Sequence, residues 1–230
     1  MIGIIRLRRW NGEKSMKAYK VLYEGASAEI VEKKSRFISD VKPVESEAEA
    51  TAFLESIRKK YWDCRHHCSA FTIGENNEIT RCSDDGEPSG TAGRPILDII
   101  LGMEIHNVCV VVSRYFGGTL LGTGGLVRAY GQAAKEGLAA STVIEKIPGR
   151  EITLTCDYNS IGKIQYIAGN LGLPAVSSDY TDKVVLRYMV NSDQVDSVIA
   201  KITEATAGKT AIETGDEVYY AIIDKELMVF

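Results

Sequence analysis

The chain has 230 residues, of which 45% are hydrophobic and 25% are charged, and its formal net charge is −4. This content is sufficient for one large or two small cored domains, and it excludes a uniformly basic nucleic-acid-binding surface. No run of 18 apolar residues is present, so the sequence predicts no membrane-spanning helix.

The first 15 residues form a basic segment. They carry Arg6, Arg8, Arg9 and Lys14 against Glu13, without the apolar stretch and cleavage site of a secretory signal. We expect a disordered tail or an extension upstream of the natural start, with a membrane-surface or nucleic-acid arm as the alternative. The five cysteines are an odd number, which favours reduced thiols and a cytoplasmic protein.

Residues 16–83 predict short strands and one amphipathic helix. Apolar runs indicate strands at 20–23 and 35–41, and a one-sided apolar stripe indicates a helix at 45–61. Residues 68–73 and 78–82 predict a hairpin, because turn-forming residues lie between the two runs.

Cysteines and histidines cluster before this hairpin. Cys64, His66 and Cys68 offer zinc ligands, but alternate residues of a strand lie about 6.5–7 Å apart, too far to share one ion without a bulge. Cys68 is also a poor candidate nucleophile, because its neighbour His67 would point to the opposite face of the strand. We expect these cysteines to fill the core.

An acidic loop follows the hairpin. Asp84, Asp85 and Glu87 could together hold a divalent cation. The interpretation that we favour is that the loop forms a turn in which the Asp side chains accept hydrogen bonds from nearby amides.

Ser89, Gly90 and Thr91 then lead into a short predicted helix with an apolar stripe at Ile96, Ile99, Ile100 and Met103. Thr91 or Gly93 can cap this helix, and free amides at its start would suit an oxyanion or a phosphate.

A buried strand at 108–112 runs into a glycine-rich turn and a further helix. Thr123 is a plausible N-cap for this helix, whose predicted stripe is Val127, Tyr130, Ala134 and Leu138. The dinucleotide-binding motif Gly-x-Gly-x-x-Gly matches Gly122 and Gly124, but Val127 stands where its third glycine belongs. The phosphate-binding loop motif is also not matched, because no Gly-Lys-Ser/Thr follows the glycines. The glycines therefore serve either tight packing or an anion at the helix start; they are Gly117, Gly118, Gly122, Gly124 and Gly125.

Three arginines lie near these two loops. If the fold brings the loops together, Arg94, Arg114 and Arg128 would face one anionic target, for which a phosphate backbone is the obvious candidate. Tyr115 and Phe116 could stack on an unpaired base, although for Phe116 we favour packing in the core.

The last third of the chain predicts a second domain. Pro148-Gly149 marks the boundary, and the order beyond it is strand 150–156, helix 160–171, strands 174–179 and 183–190, helix 193–206 and strand 209–222. This βαββαβ order, with one-sided apolar helices, predicts a ferredoxin-like domain.

Three blocks resemble the IMPACT/YigZ family. The pattern Arg-Tyr-Phe-Gly-Gly-x-x-Leu-Gly-x-Gly-Gly-Leu-x-Arg-Ala-Tyr spans 114–130, a second hallmark spans 84–93, and a His/Cys group lies at 66–68. The resemblance implies an α+β domain like the second domain of ribosomal protein S5, followed by the C-terminal domain of bacterial members. It also implies a link to translation control, and the domain pair is similar to the last two domains of elongation factor G.

These inferences define the expected organisation and function. We predict a basic tail at 1–15, an IMPACT-type domain at 16–146 and a ferredoxin-like domain at 150–230. The first hypothesis is a cytoplasmic, non-enzymatic regulator that binds RNA or the ribosome without a cofactor, with a protein partner in translation also open. The second is a small hydrolase or phosphate-ester enzyme with a metal on Asp84, Asp85 and Glu87. The oligomeric state does not follow from the sequence.

Overall fold

The computed structural model describes residues 16–230, so the predicted basic tail lies outside the described residues. The chain forms two compact units. The first consists of Tyr19–Lys146 together with Ala221–Met228. The second consists of Ile147–Tyr220 with Val229–Phe230 and residues 16–18. Among residues 16–230, none of the helices combines the length and the apolar character needed to cross a bilayer.

The elements of the first unit follow the predicted order of strands and helices. In chain order they are β1 (Tyr19–Glu24), β2 (Ser27–Glu32), β3 (Ser35–Pro43), α1 (Glu47–Lys60), β4 (His66–Ile73), β5 (Ile79–Ser83), α2 (Gly93–Gly102), β6 (Ile105–His106), β7 (Val108–Tyr115), α3 (Thr123–Ala140) and the start of β8 (Thr142–Cys156). Strand β2 is an element that the sequence did not predict.

A five-stranded sheet lies at the centre of this unit. Its order is β2-β3-β7-β4-β5, and every neighbouring pair is antiparallel. Because side chains alternate along β7, Val110 and Val112 face α2 and α3, whereas Cys109 and Val111 face α1. The sheet is therefore covered by helices on both faces.

Local capping explains where α1 begins. Ser46 Oγ accepts a hydrogen bond from the Glu49 amide at 3.2 Å, and the Glu49 carboxylate accepts one from the Glu45 amide at 2.9 Å. This reciprocal pattern satisfies amides that have no partner inside the helix. Ala50 and Ile57 then pack against the sheet.

The second unit is ferredoxin-like. It contains the main part of β8, α4 (Ile161–Leu171), β9 (Ala175–Tyr180), β10 (Val184–Asn191), α5 (Val195–Ala205) and most of β11 (Ala211–Ile223). The strands pair in the order β9-β10-β8-β11, all antiparallel. Ile164 and Ile202 of the two helices pack with Ile152 and Leu154 in one core, so both helices cover the same face of the sheet.

The chain does not break at Pro148-Gly149. Both residues lie inside β8, where Pro148 pairs with Tyr219 and Gly149 pairs with Val218. A Cβ on Gly149 would lie 2.6 Å from the Tyr220 ring, so the glycine permits a close approach within a continuous strand and does not form a turn. The last strand is β12 (Glu226–Val229).

Candidate functional site

The glycine-rich turn after β7 packs tightly and then opens into α3. A Cβ on Gly117 would lie 2.0 Å from the Lys34 carbonyl carbon, and the Gly117 amide donates to Ser35 Oγ at 3.1 Å. Gly122, with φ of 71°, is the N-cap of α3, so the prediction of Thr123 as N-cap is wrong. No side chain caps this helix.

The inner face of α3 differs slightly from the predicted stripe. Tyr130, Ala134 and Leu138 are buried as predicted, but Val127 is 40% exposed. The buried positions near the helix start are Leu126 and Ala129. Val127 therefore borders the surface near the two loops.

The acidic loop caps α2 with its own carboxylate. Asp84 accepts hydrogen bonds from the amides of Gly90, Ala92 and Gly93 at 2.8–3.0 Å. Partial burial works to raise the pKa of Asp84, but the backbone hydrogen bonds outweigh it and hold that pKa below its ordinary value. The Thr91 amide donates to Pro88 O, so two of the three amides predicted to hold an anion, those of Gly90 and Thr91, already have acceptors inside the loop.

The other two carboxylates of the loop have separate partners. Asp85 accepts from the His67 amide at 2.6 Å and from Arg58 at 3.0 Å. Glu87 Oε1 accepts from Arg114 Nη1 at 2.7 Å and from the Tyr130 hydroxyl at 2.8 Å. The three acidic side chains do not converge, and no cluster within residues 16–230 has the composition of a metal site. These pairings leave no shared site for a metal on Asp84, Asp85 and Glu87, the ligands expected for the enzyme alternative.

Arg114 is an internal residue. Its side chain is 8% exposed, pairs with the buried Glu87, and lies between the rings of Phe37 and Phe116 at 5.5 and 5.6 Å. An arginine whose charge is balanced inside the protein is a poor partner for an external phosphate. The structure thus contradicts the expected anion-binding role of Arg114.

The two loops nevertheless meet at one cationic cavity. We name it the α2–α3 hollow; it encloses about 720 Å³, and both Gly90 and Gly125 line it. Its floor is apolar, with Ile99 and Leu121 among the lining residues. The charged lining residues are Lys33, Arg94, Arg128 and Lys135 against Glu32 and Asp98.

Within residues 16–230, three of the four cations of the hollow have no carboxylate partner. Arg94 pairs with Asp98 at 2.8 Å. No carboxylate of residues 16–230 lies within ion-pair distance of Lys33, Arg128 or Lys135. Lys33 and Lys135 were not among the predicted site residues, although Arg128 and Lys135 are seven residues apart and so lie on one face of α3.

A second cavity lies at the ends of β4 and β7. We name it the Phe116 hollow; it encloses about 520 Å³ and is lined by Asp63, Cys64, Arg65, His66, Arg114, Tyr115, Phe116 and Leu120. Phe116 is 59% exposed, so the prediction that it packs in the core is wrong. Tyr115 donates its hydroxyl to Asp63 at 2.8 Å, and partial burial together with this bond raises its pKa to about 12.

The cysteines near this cavity are not activated. Cys68 is fully buried and its thiol donates to Asp84 O, while burial raises its pKa far above the ordinary value. His67 contacts Ser113 Oγ at 2.9 Å. A buried thiol with a raised pKa is a weak nucleophile. The core-filler prediction is confirmed for Cys68, whereas Cys64 is only partly buried.

Comparison with known proteins identifies both domains. Residues 33–138 match the Impact N-terminal domain, and residues 154–209 match a domain of unknown function (DUF1949). YvyE of Bacillus subtilis, an IMPACT family member, is 39% identical over 202 residues, which cover 88% of this chain and 93% of YvyE. YigZ of Escherichia coli, also an IMPACT family member, is 39% identical over 191 residues, which cover 81% of this chain and 94% of YigZ.

A solved structure agrees with this match. A crystal structure described as that of a hypothetical protein superposes with a TM-score of 0.56 at 36% identity, covering 86% of this chain and 97% of that chain. The S5-like and ferredoxin-like arrangement expected from the sequence is confirmed. On these relatives and on its two matched domains, the chain belongs to the IMPACT family.

Proposed function

We propose that this protein is a cytoplasmic, non-enzymatic regulator of translation that binds RNA, free or in the ribosome, through the α2–α3 hollow. The observation that carries the proposal is a set of cations around one cavity, Lys33, Arg128 and Lys135, none of which forms an ion pair with a carboxylate of residues 16–230. Exposed cations of this kind suit the phosphate groups of a nucleic acid backbone.

The start of α3 adds to this positive bias. The Arg128 guanidinium lies 3.8 Å from the position of a Cβ on Gly124, so it stands beside the first turn of the helix. The first turn carries unpaired amides, since Gly122 provides no side-chain cap. One phosphate group could therefore contact both the Arg128 guanidinium and the amides at the start of α3.

The turn that supplies Lys33 is strained. Lys33 and Lys34 have φ of 45° and 69°, which are left-handed values that glycine or asparagine would adopt at lower cost. A hairpin optimised only for stability would use those residues. Lys33 places its charge on the hollow in spite of this conformational cost, which supports a role for that charge.

The second unit is a poor alternative surface for RNA. Residues 146–230 contain 8 basic and 12 acidic residues. Arg187 on its sheet is engaged by Asp179 at 2.7 Å and lies 3.7 Å from Glu151. This excess of negative charge would repel a phosphate backbone, so we expect RNA to bind to the first unit.

The assignment to translation follows from the family. The resemblance to IMPACT proteins links this domain to translation control, and the free state of all five cysteines fits a reducing compartment such as the cytoplasm. A binding role without catalysis fits the raised pKa of the buried thiol of Cys68 and the occupied carboxylates of the acidic loop.

The test is RNA binding at several salt concentrations. Neutralising three phosphates of a single strand gives a slope of about −2 for log K against log salt. Arg128→Ala with Lys135→Ala should reduce this slope toward about −0.7. Fluorescence anisotropy with an unstructured RNA measures the slope, and cosedimentation with ribosomes tests the target.

The control removes two charges elsewhere. Lys183→Ala with Lys201→Ala changes exposed lysines of the second unit and should leave both measurements unchanged. Equal RNA affinity for the wild type and the Arg128/Lys135 variant, or no salt dependence, would rule out the proposal and leave a protein partner as the candidate ligand.

A further inference from the structure

The Phe116 hollow differs chemically from the α2–α3 hollow. The charged groups in its wall are Arg65, Arg114 and Asp63, and Glu87 pairs with Arg114 directly behind it. Positive and negative charges are therefore balanced. A balanced cavity gives no strong selection for a phosphate or a carboxylate, so a different ligand class has to be considered.

Flat surfaces dominate the cavity. Phe116 is 59% exposed, and its ring lies against the Arg114 guanidinium at 5.6 Å. Arg114 also lies 5.5 Å from the ring of Phe37, which is fully buried and 5.1 Å from the Tyr130 ring. Phe116 is thus an exposed aromatic ring in contact with a rigid guanidinium, which is a platform suited to a planar ligand.

The rim of the cavity carries hydrogen-bonding groups of both kinds. His66 Nδ1 lies 2.9 Å from the Asp85 carbonyl oxygen, which can only accept, so Nδ1 is the donor in this bond and Nε2 is the nitrogen left for a ligand. Asp63 adds carboxylate acceptors, and Arg65 adds donors. Arg114 Nε is buried without a partner among the described residues.

We propose that the Phe116 hollow binds one unpaired nucleobase, stacked on Phe116 and read at its edge by His66, Asp63 and Arg65. The proposal rests on the proposed function, because the base would belong to RNA whose phosphates occupy the α2–α3 hollow. One loop borders both cavities: Phe116 and Leu120 line the first, and Leu121 lines the second. A planar, uncharged ring with donors and acceptors fits this wall better than an anion does.

The experiment compares a short unstructured RNA with the same oligonucleotide carrying an abasic site at its centre. Phe116→Ala should weaken binding of the intact RNA about tenfold and leave binding of the abasic RNA unchanged. In the wild type, a 2-aminopurine at the central position should change its fluorescence on binding, and Phe116→Ala should abolish the change. Because Phe116 is exposed, the variant should keep its fold, which circular dichroism checks.

Tyr166→Ala serves as the matched control, because Tyr166 is an aromatic residue of the second unit that is 71% exposed. It should leave both affinities unchanged. Wild-type protein that binds intact and abasic RNA equally, or a Phe116→Ala variant with unchanged affinity, overturns the base pocket while the phosphate-binding proposal stands. Wild-type protein that binds neither RNA overturns both.

Discussion

Glu87 connects the acidic loop to β7 and α3. It is 9% exposed and accepts hydrogen bonds from both Arg114 and Tyr130. Replacing it with Gln leaves the Arg114 charge buried without its partner. We expect Glu87→Gln to lower the free energy of unfolding by about 3 kcal/mol or more, measured by urea denaturation.

Tyr130→Phe is the matched comparison for Glu87→Gln. It removes a single hydrogen bond to the same carboxylate oxygen and leaves the ion pair, so its cost should be about 1 kcal/mol. Equal costs for the two variants would contradict a charge-balancing role for Glu87.

The different roles of Arg114 and Arg128 show what a motif alone leaves open. Both stand in the same glycine-rich signature, and both were predicted to bind an anion. Arg114 follows Val110 and Val112 at intervals of two on β7, so alternation along the strand places it on the core face. Arg128 lies on the outer face of α3. The alternation of side chains along β7 could therefore have distinguished Arg114 from Arg128 in the sequence. The ion pair of Arg114 with Glu87, 27 positions away, could not be inferred from the sequence.

The start of α2 depends on one carboxylate. Asp84→Asn replaces an acceptor with an amide nitrogen that cannot accept, and we expect it to cost on the order of 1 kcal/mol at pH 7. Because the folded-state pKa of Asp84 is lowered, its contribution is complete above the unfolded-state pKa and is lost as the pH falls through the folded-state value. The difference in stability from the wild type should therefore shrink below about pH 4.

Asp98→Asn is the control for this experiment. Asp98 lies on the same helix, but its ion pair with Arg94 is exposed, so its loss should cost well below about 1 kcal/mol. Thermal denaturation at pH 7 and near pH 3 measures both variants. A loss of stability by Asp84→Asn that is equal at the two pH values would contradict capping by the carboxylate.

At the level of elements, the periodicity of apolar residues was sufficient to predict a helix where one of its faces is clearly apolar. The helix predicted at 45–61 is Glu47–Lys60, and the helix predicted at 160–171 is Ile161–Leu171. Strand β2 escaped prediction because only Ile30 packs against the core, while its other side chains face outward or lie at the edge. The passage of β8 through Pro148-Gly149 also escaped it, because turn-forming residues there serve a close approach to Tyr220.

For the whole molecule, net charge is a weak guide to the binding surface. The chain carries −4 overall, yet four cations line one hollow. They come from the β2–β3 turn, α2 and α3, which are separated in sequence by up to 102 positions between Lys33 and Lys135. The two loops that meet there could be identified in the sequence. That the four cations lie around one hollow becomes visible only when the three elements are packed together.

The return of the chain to the first unit leads to a prediction for the whole molecule. Ala221 is 2% exposed and packs with Val21 and Ile144, and Ile223 adds to this small cluster. A chain that ends at Tyr220 would expose these side chains and destabilise the first unit by roughly 1–3 kcal/mol. Backbone amides of β1 should then exchange hydrogen faster than in the full chain, as measured by mass spectrometry.

Removing only Val229 and Phe230, which belong to the second unit, should leave β1 exchange unchanged. Unchanged β1 exchange in the shorter chain would show that residues 19–146 are stable without Ala221–Met228.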